Sequence, residues 1–264
     1  TTATITIRST TRPLGAGRWL RQRRLSSGVI RMEKSEEMET VLITGASRGI
    51  GLELTRQFLR QGYNVISTCR NSASAELAAL TSSAALTLCN LELTDSGSIT
   101  KLADELSNIN INILINKAGV IGPDEQALET IEPDGWLKTF AINTIAPLMV
   151  SRAFLANLRK SSNPRIITIS SQMGALSRQS TGMYAYRSSK AAVNKAMQVL
   201  ALELKDLGII VCPVHPGWVK TDMGGPDADI SVSESATGIV NLVRNLKIEQ
   251  TGKFLTWQGE EHAW

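Results

Sequence analysis

A strand, a glycine-rich turn and a helix follow one another near residue 40, and this order constrains the fold more than any other feature. The apolar residues 41–43 predict a buried strand, and apolar residues at helical spacing across 52–59 predict the helix. The turn between them, residues 44–51, contains three glycines, which allow a tight turn and a close approach of backbone to a ligand. Because backbone N–H groups at a helix N-terminus bind anions, the segment predicts a site for a dinucleotide diphosphate. Its candidate cofactor-binding residues are Gly45, Ser47, Arg48, Gly49, Ile50 and Gly51.

Strand-like and helix-like segments alternate along the rest of the chain. Such alternation indicates right-handed crossovers and a parallel sheet with helices on both faces. We therefore expect one α/β domain at residues 39–264, a Rossmann-type doubly wound parallel sheet of about seven strands. The expected strands are 41–44, 64–69, 86–91, 111–116, 165–170, 209–214 and 253–255. Long helices are expected at 136–159 and 186–207, and another helix is expected to start near residue 233.

Tyr186 and Lys190 stand four residues apart in a helical segment, so both side chains lie on one face of the helix. A nearby cation favours the phenolate and lowers the pKa of a tyrosine from its usual ~10. A phenol tuned in this way can exchange a proton with a substrate oxygen near neutral pH. The same spacing also occurs by chance in pairs on helix surfaces. It therefore indicates a catalytic pair only when other motifs accompany it.

Five segments together resemble the short-chain dehydrogenase/reductase family, from about residue 39 to the end of the chain. Residues 44–51 have its Thr-Gly-x-x-x-Gly-x-Gly turn, and residues 116–119 are similar to its Asn-Asn-Ala-Gly motif. A β-branched strand that ends in a serine pair, the Tyr-x-x-x-Lys pair and a Pro-Gly-x-x-x-Thr segment at 216–221 follow in the same order as in the family. The resemblance implies the Rossmann-type fold and a nicotinamide-dependent oxidoreductase.

The resemblance also implies residue roles. The implied catalytic residues are Asn143, Ser171, Tyr186 and Lys190, with Tyr186 as the proton donor and a water near Asn143 in a proton relay. Ser170 is expected to support Ser171, and Tyr184 is expected to pack or to form a pocket wall. Implied cofactor contacts outside the glycine-rich turn are Asn116, Ala118, Gly119, Tyr186, Lys190, Pro216, Gly217, Val219 and Thr221.

The end of the second expected strand bears on the choice of cofactor. An NAD enzyme of this fold keeps an acidic residue there for the ribose 2′-hydroxyl, whereas this chain has Cys69 followed by Arg70. Together with Arg48, these residues favour the 2′-phosphate of NADPH/NADP⁺. The alternative is that Arg70 is a solvated loop residue and that Arg48 pairs elsewhere. Glu92 stands where the family usually has Asp beside the adenine, and we expect this exchange to be tolerated.

Lys117 departs from the family pattern, which has asparagine at this position. A buried ammonium needs a partner or a path to solvent. We expect Lys117 to reach a carbonyl or carboxylate at the edge of the sheet and to leave the active site intact.

Residues 184–192, 215–225 and 252–254 resemble the C-factor-like and sniffer-type carbonyl reductase branch of the family. The branch implies NADPH-dependent reduction of aldehyde or ketone carbonyls, with a small-molecule substrate. Two alternatives stay open: an NAD-dependent alcohol or hydroxyacyl dehydrogenase, and an NADP-occupied signalling or binding protein. The family pairs into homodimers or homotetramers through long helices, here expected at 136–159 and 186–207.

The first residues differ in composition from the rest. Residues 1–31 carry seven arginines and no acidic residue, so subtracting these charges from the net +4 leaves about −3 on the remainder. The basic balance therefore gives no reason to expect nucleic-acid binding by the domain.

We expect residues 1–38 to be a basic, disordered extension, either an organelle transit peptide or an over-called start. The expected location is cytoplasmic, or a mitochondrion or plastid if residues 1–31 are a transit peptide, and neither a metal nor a membrane span is expected.

Overall fold

The structure is a computed structural model that describes residues 22–24, 30–32, 38–70 and 74–264. The chain divides into two units, residues 1–37 and 38–264. In the first unit, strands β1 (Gln22–Arg24) and β2 (Ile30–Met32) pair antiparallel. The remainder of the expected disordered extension, apart from its last residue, lies outside the described residues.

The second unit is built on a seven-stranded sheet in which every neighbouring pair is parallel. The strands are β3 (Thr40–Thr44), β4 (Asn64–Cys69), β5 (Leu86–Asn90), β6 (Ile113–Asn116), β7 (Arg165–Ile169), β8 (Ile210–His215) and β9 (Leu255–Thr256). Their order across the sheet is β5-β4-β3-β6-β7-β8-β9. The chain therefore starts near the centre with β3, adds strands towards one edge as far as β5, and then adds β6 to β9 towards the other edge. This order confirms the predicted doubly wound sheet.

Helices cover both faces of the sheet. They are α1 (Gly49–Arg60), α2 (Ala75–Ala78), α3 (Ser96–Glu105), α4 (Pro133–Phe140), α5 (Ala146–Ala153), α6 (Leu155–Leu158), α7 (Tyr184–Leu204) and α8 (Val232–Asn245). Successive side chains of a strand point to opposite faces. Val41 and Ile43 accordingly pack in the core beneath α1 and α8, whereas Leu42 packs in the core beneath α3, α5 and α7.

The predicted continuous helix 136–159 is wrong in detail. A π-helical turn, Ala141–Ile145, separates α4 from α5, and the helix breaks again at Phe154 before α6. Pro147 explains the first interruption, because it has no N–H and its ring clashes with the carbonyl of Asn143 in a regular α-helix. The other predicted long helix begins two residues earlier than expected, at Tyr184, and ends in a 3-10 turn, Lys205–Leu207, before Gly208.

A 3-10 turn, Gln172–Gly174, follows β7 and packs directly against α7. A Cβ built on Gly174 would lie 2.5 Å from the carbonyl carbon of Lys190 and 2.7 Å from the nitrogen of Ala191. Only glycine therefore allows this turn to approach the helix so closely. The contact holds Ser171, at the start of the turn, beside the helix that carries Lys190.

We expect Gly174→Ala to lower the free energy of unfolding by about 1–3 kcal/mol, because the added methyl must displace backbone of α7. Chemical denaturation measures this loss. Gly97→Ala is the control, since only the flexible Asp95 carboxylate lies within 4 Å of a Cβ there. Equal stability of the two variants would contradict the proposed close approach.

Candidate active site

Two cavities lie at the carboxyl ends of the strands, where a doubly wound sheet binds ligands. The larger has a volume of about 390 Å³ and includes Tyr186 and Lys190 in its wall. The smaller has a volume of about 100 Å³ and is lined by Arg70 and Glu92. The walls of the two cavities share four residues, Arg48, Lys117, Gly119 and Val120, so the cavities adjoin. Together they form one cleft, which we call the cofactor cleft.

The glycine-rich turn borders this cleft as predicted. Gly49 and Ile50 line the larger cavity, and Gly45 and Ser47 line the smaller one. Gly45 has a φ of 69°, and a Cβ at this position would lie 2.7 Å from the Cα of Ala118. The turn therefore packs tightly on the segment after β6. Gly51 packs within the turn itself, and its neighbours lie too close for a Cβ.

Tyr186 lies in the first turn of α7 and is 8 % exposed. Gln126 fixes the start of this helix, because its Oε1 accepts a 3.1 Å hydrogen bond from the Tyr186 backbone nitrogen. The Gln126 Nε2 donates to the carbonyls of Ile121 (3.0 Å) and Pro123 (2.9 Å), which anchors the amide. The sequence analysis did not identify Gln126, since a single glutamine in a loop carries no pattern.

The ionisation of Tyr186 differs from the sequence-based expectation. Burial raises the pKa of Tyr186, and a hydrogen-bonding interaction with Ser171 opposes this only in part. The Lys190 Nζ lies 5.8 Å from the centre of the Tyr186 ring and donates a 2.9 Å hydrogen bond to the carbonyl of Ile169. The net direction is thus opposite to the lowering predicted from the Tyr-x-x-x-Lys spacing. In this structure the phenol stays protonated at neutral pH.

Ser171 follows β7 and is buried. Its Oγ accepts a 3.1 Å hydrogen bond from the backbone nitrogen of Met173. Ser170, and not Ser171, is in the wall of the larger cavity, and its Oγ donates to the Asn194 Oδ1 at 2.5 Å, which joins the strand end to α7. The supporting role predicted for Ser170 stays a prediction. Tyr184 packs against Trp136, with 6.3 Å between ring centres, and is not in the wall of either cavity.

Asn143 sits in the π-helical turn and is almost fully buried. Its Oδ1 accepts from the Val120 nitrogen at 2.9 Å, and its Nδ2 donates to the Val120 carbonyl at 2.8 Å. The same Nδ2 also donates to the Ser189 Oγ at 3.1 Å. The side chain therefore joins the loop after β6 to α7, directly beside Lys190. The role of a water at this position stays a prediction.

Arg48 and Arg70 both line the smaller cavity, as expected for residues around one ribose. The structure also shows the alternative, because the Arg48 Nη1 forms an exposed ion pair with the Asp222 Oδ2 at 2.7 Å. An exposed pair of this kind is worth only about 0–1 kcal/mol, so a phosphate can compete for Arg48. Glu92 lines the cavity, but its Oε1 accepts hydrogen bonds from the backbone nitrogen and the hydroxyl of Thr94. These bonds and Arg70 lower the pKa of Glu92, so it is ionised.

The remaining predicted cofactor residues divide into lining and supporting groups. Ala118 lines the smaller cavity, Gly119 lines both, and Pro216 and Thr221 line the larger one. The other three predicted residues, Asn116, Gly217 and Val219, are not in the wall of either cavity. Asn116 donates to the Pro147 carbonyl at 3.3 Å and to the Ser151 Oγ at 3.1 Å beneath the sheet.

The loop after β8 forms another side of the larger cavity. Gly217 has a φ of 87°, and Val219 is buried and bridges to Ile230. Met223 also lines the cavity, with its Sδ 4.0 Å from the Tyr186 hydroxyl. Among the described residues, no group of three or more His, Cys, Asp or Glu side chains is placed to hold a metal ion. None of the helices in residues 38–70 and 74–264 is long and apolar enough to cross a membrane.

We expect Asn143→Ala to lower the free energy of unfolding by about 1–3 kcal/mol, because the half-buried Val120 backbone groups lose their partners. Urea denaturation measures the change. Asn245→Ala is the control, since Asn245 is exposed and bonds only within its own helix. A cost for Asn143→Ala no greater than that of the control would refute the bridging role.

Comparison with known proteins identifies the family. The short chain dehydrogenase family model matches residues 39–229. The C-signal protein of Myxococcus xanthus is 39% identical over 155 residues, which cover 58% of this chain and 93% of that protein. The solved structure of carbonyl reductase Sniffer of Drosophila melanogaster is similar with a TM-score of 0.81 and 32% identity, over 86% of this chain and 100% of that one. NADPH-bound carbonyl reductase from chicken fatty liver gives a TM-score of 0.79 and 34% identity, over 86% and 99% of the two chains. The chain therefore belongs to the short-chain dehydrogenase/reductase family of oxidoreductases, as its motifs predicted.

Proposed function

We propose that the protein reduces the carbonyl group of a small aldehyde or ketone to an alcohol with NADPH. The observation that carries the proposal is the buried Tyr186 phenol beside Ser171 and Lys190, at a cavity that adjoins a second cavity lined by two arginines. The similarity to two carbonyl reductases, one of them NADPH-bound, supports the same reaction here.

The cofactor cleft fits a dinucleotide phosphate. Its turn offers backbone N–H groups at the start of α1, and its smaller cavity holds Arg48 and Arg70. Cys69, at the end of β4, stands where an NAD enzyme would have a carboxylate, so no fixed charge there repels a 2′-phosphate. The chemistry that NADPH supplies when bound is transfer of a hydride to the carbonyl carbon.

The proton transfer is assigned to the Tyr186 phenol in the wall of the larger cavity and to the buried Ser171 beside it. The carbonyl oxygen takes a proton from the Tyr186 phenol, and the Ser171 hydroxyl donates a hydrogen bond to the same oxygen as negative charge develops. Lys190, held by the Ile169 carbonyl, stabilises the tyrosinate that forms. Solvent then returns the proton to Tyr186, in our proposal through a water near Asn143.

The alternative of an NAD-dependent dehydrogenase that works oxidatively differs from the reductase mainly in its cofactor. Arg48 and Arg70 line the smaller cavity, and guanidinium groups there suit the 2′-phosphate that NAD lacks. The cofactor site therefore favours the reductase, and a comparison of NADPH with NADH binding separates the two functions.

The signalling or binding alternative receives some support from the similarity to C-signal. A binding protein, however, has no need for a buried tyrosine and lysine in one cavity wall with the Ser171 hydroxyl beside the tyrosine. A partner that binds the NADPH form and still binds after Tyr186→Phe would favour this alternative.

We propose a homodimer or homotetramer that forms through α4, α5 and α7. Large apolar side chains are exposed here: Ile145 in the π-helical turn between α4 and α5, and Val199 and Leu202 on α7, with Leu202 73 % exposed. Burying such side chains between copies is favourable. We also propose a cytoplasmic location, or a mitochondrion or plastid if residues 1–31 act as a transit peptide.

We expect Tyr186→Phe to lower kcat for aldehyde reduction by about 10²–10⁴-fold, because the proton donor is lost. NADPH affinity should stay within about twofold, since the ring remains in place. Absorbance of NADPH during turnover and a fluorescence titration measure the two quantities.

Tyr184→Phe makes the same chemical change two residues away, on a side chain outside both cavities, and should leave kcat unchanged. Near-normal turnover by Tyr186→Phe would rule out the assigned proton donor.

We expect Arg70→Ser to raise the Kd for NADPH about tenfold or more, because a charge-assisted hydrogen bond to the 2′-phosphate is lost. The Kd for NADH, which lacks this phosphate, should not rise. Calorimetric titration of both cofactors measures the difference.

Arg60→Ser is the control, since Arg60 is an exposed arginine in the last turn of α1. An equal loss of affinity for NADPH and NADH would show that Arg70 does not read the 2′-phosphate.

A further inference from the structure

Lys117 has no partner for its charge in the structure. Among the described residues, neither a carboxylate nor a carbonyl accepts a hydrogen bond from its ammonium, although its backbone nitrogen donates to the Thr44 Oγ1 at 3.1 Å. The sequence-based expectation that Lys117 reaches a carbonyl or carboxylate at the sheet edge is therefore wrong. The side chain instead lines the cofactor cleft.

The position of Lys117 is the junction of the two cavities. It follows β6 at the centre of the sheet and lines both cavities, as Arg48 also does. Arg70 lines only the smaller cavity, and Lys190 lines only the larger one. Lys117 thus stands between the part of the cleft with the 2′-phosphate arginine and the part with the catalytic lysine.

The surroundings of Lys117 are positive. Burial and, to a smaller extent, the neighbouring charge of Arg48 together lower the pKa of Lys117 to about 8. Lys117 in turn helps to lower the pKa of Lys190 to about 8, although burial is the larger cause there. A half-buried cation among other cations is unfavourable by itself, and an anion bound at the junction relieves this cost.

We propose that Lys117 binds the diphosphate of the dinucleotide, the part that NADP(H) and NAD(H) share. The proposal rests on the proposed function only in requiring that a nicotinamide dinucleotide occupies the cleft. A bound dinucleotide extends from the smaller cavity to the larger one, so its central diphosphate crosses the junction. The glycine-rich turn binds this group through backbone N–H donors, and Lys117 adds positive charge from the end of the neighbouring strand, β6.

The test is a calorimetric titration of Lys117→Met and Lys117→Asn with NADP⁺ and, separately, with NAD⁺. We expect the Kd values for both dinucleotides to rise by a similar factor, about tenfold or more, because the lost contact is to a shared group. Lys101→Met, which removes an exposed lysine of α3, is the control and should leave both values unchanged.

Thermal unfolding separates binding from a structural role. Without ligand, Lys117→Met should unfold at the same temperature as the wild type or higher, because an unpaired half-buried charge has been removed. The rise in Tm caused by saturating NADP⁺ in the wild type should shrink in the variant at the same ligand concentration. A lower Tm without ligand together with an unchanged rise would overturn the proposal in favour of a structural lysine.

Two further outcomes would overturn it. A loss of affinity confined to NADP⁺ would place Lys117 at the 2′-phosphate, and unchanged Kd values for both dinucleotides would show no contact at all. Failure of the proposed function looks different: the wild type would prefer NADH, or would bind NADPH without reducing carbonyls. The effect of Lys117 on dinucleotide affinity could be measured in either case.

Discussion

The parallel direction of all seven strands is the constraint on which the site depends. In a parallel sheet the carboxyl ends meet at one edge, so segments far apart in sequence face the same space. The glycine-rich turn follows β3, Lys117 follows β6, Ser171 follows β7 and Pro216 follows β8. Neighbouring strands in the sheet thus contribute neighbouring parts of the cleft. The strand order therefore places Lys117, after β6, between the glycine-rich turn after β3 and Ser171 after β7.

Two local contacts hold helix α7 against the carboxyl edge of the sheet. Gly174 lets the turn after β7 approach the backbone of Lys190, and Asn143 bridges Val120 to Ser189 from the other side. Asn143 lies in the π-helical turn that precedes Pro147, and its contacts with Val120 and Ser189 start from this turn. The interruption of the helix thus carries the residue that contacts Ser189, directly before Lys190.

The sequence predicted the sheet and its seven strands closely, because β-branched buried runs and glycine turns are local signals. It also predicted which motifs border the cleft. It could not predict the anchoring of Tyr186 by Gln126, the ion pair of Arg48 or the orientation of Lys190, which depend on atoms that are distant in sequence. The helix interruption before α5 was missed although Pro147 signalled it, because apolar periodicity continues through the break.

The electrostatics of the cleft link cofactor and catalysis. Without ligand, Lys117 repels Lys190 and helps to lower its pKa, while burial keeps the Tyr186 phenol protonated. A bound dinucleotide phosphate brings negative charge to the junction, which favours the charged form of both lysines. In the proposed mechanism, a charged Lys190 stabilises the tyrosinate that forms when Tyr186 donates its proton. The proposed contact of Lys117 with the diphosphate therefore couples occupation of the cleft to the charge state of Lys190.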